Sequence, residues 1–145
     1  MSIDKAVLSP MDTVDESLMC GRMFEWSVRK GYDSEKFCKT VMTSDWGIHV
    51  MNNDYSQEWA DELFCLGGFE YFVGLEKGKC YTEDFMFFIG YLYRHWVLAY
   101  KVPAPQVYKM APPKRILRGY DFLHTQGYDY VIAELTDEAK EHGII

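Results

Sequence analysis

Thr82-Glu83-Asp84-Phe85-Met86-Phe87-Phe88-Ile89-Gly90-Tyr91-Leu92-Tyr93-Arg94-His95-Trp96-Val97-Leu98-Ala99-Tyr100-Lys101 is the stretch whose reading decides the fold. Residues 85–100 form the longest apolar run of the chain, interrupted only by Arg94 and His95. Spanning a bilayer takes about 20 apolar residues. The run is shorter than that, so it predicts a helix buried in a protein core. Thr82 suits an N-cap, because its hydroxyl can accept from a free backbone N–H. Glu83 and Asp84 place negative charge at the positive end of the helix dipole. Pro103 and Pro105 end this helix near Lys101 and open a short one through Tyr108 and Met110.

Working outward toward the C-terminus, Pro112-Pro113 predicts a helix over residues 114–125. Ile116, Leu117, Tyr120, Leu123 and His124 make its inward face, and Gly127 breaks it. The last helix carries Tyr128, Val131, Ile132 and Leu135, with a polar tail over residues 136–142. Toward the N-terminus, Glu76-Lys77-Gly78-Lys79 is polar and glycine-containing between two apolar runs, which reads as a boundary. Thr13-x-x-Glu16 matches a capping box and predicts a first helix starting near Asp12 or Thr13. Met19, Met23, Phe24 and Trp26 supply its apolar stripe and Gly31 its stop. Asp33 or Ser34 caps a short helix with Phe37, Cys38, Val41 and Met42. Ser44-Asp45 caps another, with Trp46, Val50 and Met51. Asn52-Asn53-Asp54 is a loop signal. A further helix from about Tyr55 carries Trp59, Leu63, Phe64 and Leu66 and ends at Gly67-Gly68.

The expected fold is all-α, a compact bundle of six to eight helices. Two helical halves, residues 1–78 and 79–145, share a rhythm of helix lengths that suggests a duplicated unit, and they can pack as one domain. The chain has 145 residues and 48% of them are hydrophobic, enough for a real core and too apolar for a disordered chain. Its net charge of -7 opposes binding to a phosphate backbone, so no nucleic-acid partner is expected. The charge is uneven. Residues 1–80 hold 8 Lys/Arg against 14 Asp/Glu, and residues 81–145 hold 7 against 8. Cys20, Cys38, Cys65 and Cys80 contain no C-x-x-C pair and sit in or beside apolar runs. Reduced, packed thiols and a cytoplasmic location are therefore expected. No signal peptide and no membrane partner is expected either.

No catalytic constellation is legible. The thiols lack a nearby histidine, and nucleophilic catalysis needs a base and an orienting group. His49, His95, His124 and His142 are far apart, with no H-x-x-x-H or E-x-x-H pair, so no metal is expected. Gly67-Gly68 and Gly74 lack the Lys-Ser/Thr sequel of a phosphate loop, and no cofactor is expected. His95 beside Arg94 reads as a half-buried structural histidine. The candidate contact residues lie in Tyr120-Asp121-Phe122-Leu123-His124-Thr125-Gln126, where a polar triplet follows a core pattern at a helix end. His124, Thr125 and Gln126 can meet a partner there, or bond the free carbonyls of their own helix. Lys109, Lys114, Arg115 and Arg118 form a basic cluster, with Lys114 and Arg118 on one face at i, i+4 and Arg115 adjacent. It reads as a solvated face or as a dock for an acidic partner, including the acidic half of a second copy.

Residues 81–140 resemble a small, uncharacterised bacterial family. The resemblance rests on the aromatic-rich helix of residues 85–100, on Gln106-Val107-Tyr108-Lys109-Met110, on Tyr120 through Gln126, and on the helix from Tyr128 to Leu135. The heptapeptide, Tyr-Asp-x-Leu-His-Thr-Gln in the family, is its most specific element. Met110-Ala111-Pro112-Pro113 departs from the pattern, which there has a longer helix ending in Gly. Residues 22–64 resemble a second short sequence type through Phe24-Glu25-Trp26, Lys30-Gly31-Tyr32-Asp33, Lys36-Phe37, Met42-x-Ser44-Asp45 and Tyr55-Ser56. Genes of these types often lie beside predicted toxins of ADP-ribosyltransferase type. The resemblance thus implies a non-enzymatic, antitoxin-like or accessory protein with a protein partner. A small-molecule binder or enzyme with a pocket between the halves, near Tyr120, Asp121 and His124, is the alternative.

Overall fold

The computed structural model describes residues 10–52 and 74–145. Among them it has seven helices and no strand. These are α1 (Pro10–Arg29), α2 (Ser34–Thr43), α3 (Asp45–Asn52), α4 (Glu83–Tyr100), α5 (Ala104–Met110), α6 (Pro113–Leu123) and α7 (Tyr128–Glu141). The all-α bundle expected from the sequence is what forms. The expected helix from Tyr55, the loop at Asn53-Asp54 and Cys65 lie outside the described residues.

The local signals act largely as their chemistry demands. Asp33 caps α2, its carboxylate accepting from the Lys36 N–H at 3.0 Å. The Ser44 hydroxyl accepts from the Gly47 N–H at 3.0 Å and starts α3. The Thr82 hydroxyl accepts from the Phe85 N–H at 3.2 Å and starts α4. Gly31 takes a positive φ of 77°, as a helix stop of this kind requires.

α4 is the central element. It packs most extensively on α1 and also touches α3, α5, α6 and α7. Phe85, Met86, Ile89, Leu92, Tyr93, Trp96 and Val97 are buried along it. The core joins them to Cys20, Met23 and Phe24 of α1, Phe37 and Val41 of α2, Val107 of α5, Ile116 of α6 and Ile132 of α7. One apolar cluster therefore draws on residues from both sides of position 78. α1 and α4 approach closely because Gly90 faces the Cys20 carbonyl. A Cβ built on Gly90 would lie 2.8 Å from that oxygen and 2.8 Å from the Phe24 ring.

The deepest polar feature is an ion pair across this same interface. Arg94 is 0% exposed and Glu16 1%, and the guanidinium Nη2 donates to Glu16 Oε1 at 2.5 Å. The capping-box reading of Glu16 is thereby corrected. α1 starts at Pro10, so Thr13 lies inside the helix, and the Glu16 carboxylate pairs with α4. A buried guanidinium without a counter-charge would be far costlier than an uncapped, solvated helix end. Arg94 thus breaks the apolar run in sequence only; in space it is part of the core.

Glu76-Lys77-Gly78-Lys79 lies against the α1–α2 turn. Lys77 pairs with Tyr32 in an isolated antiparallel bridge. The Asp33 N–H donates to the Glu76 carbonyl at 2.9 Å, Ser34 N–H to Lys79 at 3.0 Å, and Gly78 N–H to Gly31 at 3.1 Å. Ser34 Oγ accepts from the Tyr81 N–H at 2.9 Å, and the Tyr81 hydroxyl donates to Glu35. The polar stretch is a tether that fixes where α4 begins relative to α2.

Two outcomes follow for this interface. Arg94→Met alone leaves Glu16 buried and unpaired, and unfolding in denaturant should show a loss of about 3–5 kcal/mol. The double variant Glu16→Leu with Arg94→Met should recover most of that loss, because removing both charges also removes both desolvation penalties. Gly90→Val should cost at least about 1–3 kcal/mol through overpacking. An unchanged melting temperature for Gly90→Val would contradict the close approach.

Candidate functional site

The heptapeptide forms the corner between α6 and α7. α6 ends at Leu123, two residues before the expected end, because the backbone tightens there. The Thr125 N–H donates to the Phe122 carbonyl at 3.1 Å, and Gln126 N–H to the Leu123 carbonyl at 3.0 Å. The side chains add second bonds to carbonyls that the backbone already uses. His124 Nδ1 lies 2.7 Å from the Tyr120 carbonyl. A carbonyl only accepts, so Nδ1 carries the proton and a neutral ring keeps Nε2 as an acceptor. Thr125 Oγ1 donates to the Phe122 carbonyl at 2.6 Å, and Gln126 Nε2 donates to Thr125 Oγ1 at 3.0 Å. His-Thr-Gln therefore bonds the carbonyls of Tyr120, Phe122 and Leu123 at the end of its own helix. Gly127 is the N-cap of α7, with an ordinary φ of -69°.

The expected inward face of α6 needs correction. Ile116 and Leu123 are buried and Tyr120 is half-buried, but Leu117 and His124 are exposed. The stripe that faces the core runs at residues 113, 116, 120 and 123, which is one helical face; Leu117 and His124 lie beside it. Tyr120 is the aromatic hinge of the corner. Its ring stands edge-on to Phe85 at 5.1 Å and to Phe88 at 5.4 Å, and lies 4.8 Å from the His124 ring. The contacts continue along α4. Tyr128 stacks on Phe88 at 5.5 Å and on Tyr91 at 4.2 Å. Burial pushes the Tyr128 hydroxyl up to about 12.

The basic cluster divides. Arg115 turns between the helices and donates from Nη1 to Glu138 Oε1 of α7 at 2.6 Å. Arg118 Nη2 lies 3.8 Å from the same oxygen and is largely exposed, as is Lys114. Between α6 and α7 lies an open groove of about 350 Å³ lined by Arg115, Arg118, Phe122, Leu135 and Glu138, among others. Phe122, which lines it, and Tyr130 are exposed at 56% and 44%, whereas Leu117, exposed at 41%, is not a lining residue and lies about 140° around α6 from Phe122. The Phe122 and Tyr130 rings meet edge to face at 6.2 Å. Asp121 is exposed on the same helix. Of the sequence-derived candidates, Tyr120, Asp121, His124, Thr125 and Gln126 share the corner, and Lys114 and Arg118 share the outer face. Arg115 is drawn into an internal ion pair.

Sequence reasoning missed a second polar group. Asp129, in the first turn of α7, receives the Tyr100 hydroxyl at 2.7 Å, and His95 Nε2 lies 2.9 Å from the same Oδ1. The His95 hydrogen bond and then the Tyr100 one hold the Asp129 carboxyl below its ordinary value of 3.8. Burial and this bond push the Tyr100 hydroxyl up to about 12. The usable signal was His95 itself, since a polar ring on an apolar helix needs a partner. His95 is indeed half-buried, with its partner supplied from 34 residues away.

Two of the thiols are deeply buried. Burial pushes both the Cys20 and Cys38 thiols well up, away from thiolate formation. The Cys80 thiol donates to the Tyr32 carbonyl at 3.1 Å. Among the described residues no group of three His, Cys, Asp or Glu side chains could hold a metal ion, and no helix is long and apolar enough to cross a membrane. No protein-family model matches the chain, and no curated protein or solved structure is significantly similar to it.

Asp129 supports a pH test. Its folded pKa is depressed, so its stabilisation is present above the unfolded value and is lost as pH falls through the folded value. The carboxylate is exposed and solvent-screened, which limits the effect to under about 1 kcal/mol. Asp129→Asn should lower the melting temperature at neutral pH, and the gap to the parent should close as pH falls through the lowered folded value. A gap that persists unchanged in acid would show that the loss is not electrostatic.

Proposed function

We propose that this protein is a non-enzymatic interaction module that docks a protein partner on the outer face of α6 and α7. The observation that carries the reading is the exposure of Phe122 and Tyr130, whose rings meet edge to face at 6.2 Å beside the groove that Phe122 lines. Scattered single apolar residues on a surface need no explanation, but two exposed aromatic rings in contact have the composition of an interface anchor. Lys114 and Arg118 stand on the same side of α6 as Phe122, at successive steps of four residues. The partner that fits is an apolar stripe bordered by acidic side chains. The basic pair would guide such a surface in, and the aromatic pair would hold it.

The family resemblance supports the same reading and makes a specific candidate of an ADP-ribosyltransferase-type toxin encoded beside the gene. On this reading the corner of Tyr120, Asp121, His124, Thr125 and Gln126 borders the docking face and holds α6 at its angle to α7. A second copy of the chain is the competing occupant, since residues 1–80 are acidic.

The test is co-expression and co-purification with the neighbouring gene product, followed by titration. Phe122→Asp should weaken the complex at least about tenfold, a loss of about 1.4 kcal/mol or more. It should leave the melting temperature nearly unchanged, because the side chain is more than half exposed. His124→Ala should do the reverse, costing up to about 1 kcal/mol of stability through the lost carbonyl bond while the complex persists. Undiminished binding by Phe122→Asp would remove the docking face from consideration. A dimer of this chain broken by the same substitution would assign the face to self-association.

A further inference from the structure

At the C-terminal end of α4 a separate open cleft of about 420 Å³ lies between α4, α5 and α7. It is within the size range of small-molecule sites. Its wall combines Trp96 and Tyr100 of α4, Met110 of α5 and Ile132 of α7, with two carboxylates, Asp129 and Asp137. No Lys, Arg or His side chain lines it. An anion would meet only negative charge there, and a highly polar ligand would find mostly apolar surface. The composition selects a cation with an apolar body.

The spacing of the carboxylates narrows the class. Asp129 and Asp137 lie on the same helix eight residues apart. At 1.5 Å per residue that is about 12 Å along the axis. The cleft surface between them is apolar at Ile132 and Ala133. Asp129 is held in place from behind. Its Oδ1 takes both the Tyr100 hydroxyl and the His95 contact, and its Oδ2 takes no hydrogen bond from the described residues. The Asp137 carboxylate, exposed on the same helix, makes no ion pair or hydrogen bond with the described residues, so both carboxylates have acceptor capacity left.

We propose that this cleft binds a linear aliphatic diamine, with one ammonium at Asp129, the other at Asp137, and the methylene chain over Ile132 and Ala133. Two carboxylates bracketing an apolar track match two ammonium groups joined by methylenes. A metal ion would need its ligands converging on one point, and these carboxylates are set apart. Tyr100 adds an aromatic ring at the Asp129 end, where a cation gains further attraction. This inference is independent of the docking face on α6 and α7.

The test is calorimetric titration of the full chain at physiological salt with hexamethylenediamine. Hexylamine carries one charge on the same chain, and adipate carries the opposite charges at similar length. Binding should rank the diamine first, hexylamine well below it, and adipate undetectable. Asp129→Asn and Asp137→Asn should each weaken the diamine about three- to fivefold, the worth of one solvent-exposed ion pair. Ala133→Phe, which fills the track and leaves both carboxylates in place, should abolish binding. Asp121→Asn removes the same charge outside the cleft and should change nothing. No heat with the diamine up to about 10 mM would overturn the proposal. Hexylamine binding as tightly as the diamine, or Asp121→Asn weakening it as much as the cleft variants, would also overturn it.

Discussion

The pairing of α1 with α4 is the constraint on which the rest of the structure depends. Two features hold it. Gly90 lets the helices approach until its Cα faces the Cys20 carbonyl. Arg94 then meets Glu16 with both groups out of water. Apolar packing alone tolerates sliding, because one methyl group can replace another. A buried charge pair does not, because a helix shifted by one turn would strand both ions in a low-dielectric interior. The pair thus sets the register of α1 on α4, and α2 and α3 lean on that frame.

The opposite face of α4 is organised by aromatic rings. Phe85 and Phe88 receive Tyr120 of α6, and Phe88 and Tyr91 receive Tyr128 of α7. These contacts place the α6–α7 corner and, through it, the α6–α7 groove and the cleft beside Trp96. The outer face of α6 and α7 points away from the core because its inner face is occupied by Tyr120, Leu123 and Val131. The cleft near Trp96 and Tyr100 exists because α4 ends at Lys101 in a left-handed conformation, φ 56°, and the chain turns away into α5. Both surfaces are built by residues 96–145, and neither is a pocket between the two halves.

The helices were legible from residues that act on their own neighbours. Asp33, Ser44 and Thr82 each reach a backbone N–H within three residues, and Gly31 supplies its own φ, so spacing sufficed to find them. The His-Thr-Gln corner was legible for the same reason, because its bonds close within four residues. Glu16 misled because its capping partner would be local and its actual partner lies 78 residues away. The polar stretch at Lys77 also has its partners far away in sequence. Its composition suits a boundary, but its backbone groups pair with the turn at Gly31–Ser34. Leu117 misled because it sits at the edge of a helical stripe, where periodicity cannot say which neighbour will cover it.

The amino-acid sequence by itself determined the helical class of this protein, the start of most of its helices and the self-contained ending of α6. These depend on interactions between residues a few positions apart, and sequence spacing encodes them directly. Tertiary structure alone decided that Arg94 meets Glu16, that Asp129 gathers His95 and Tyr100, and that Asp129 and Asp137 border one cleft with Trp96. Each of these joins groups from different helices. Their proximity is set by how α1, α6 and α7 lie on α4, which the packing of whole side-chain surfaces resolves and no single stretch contains.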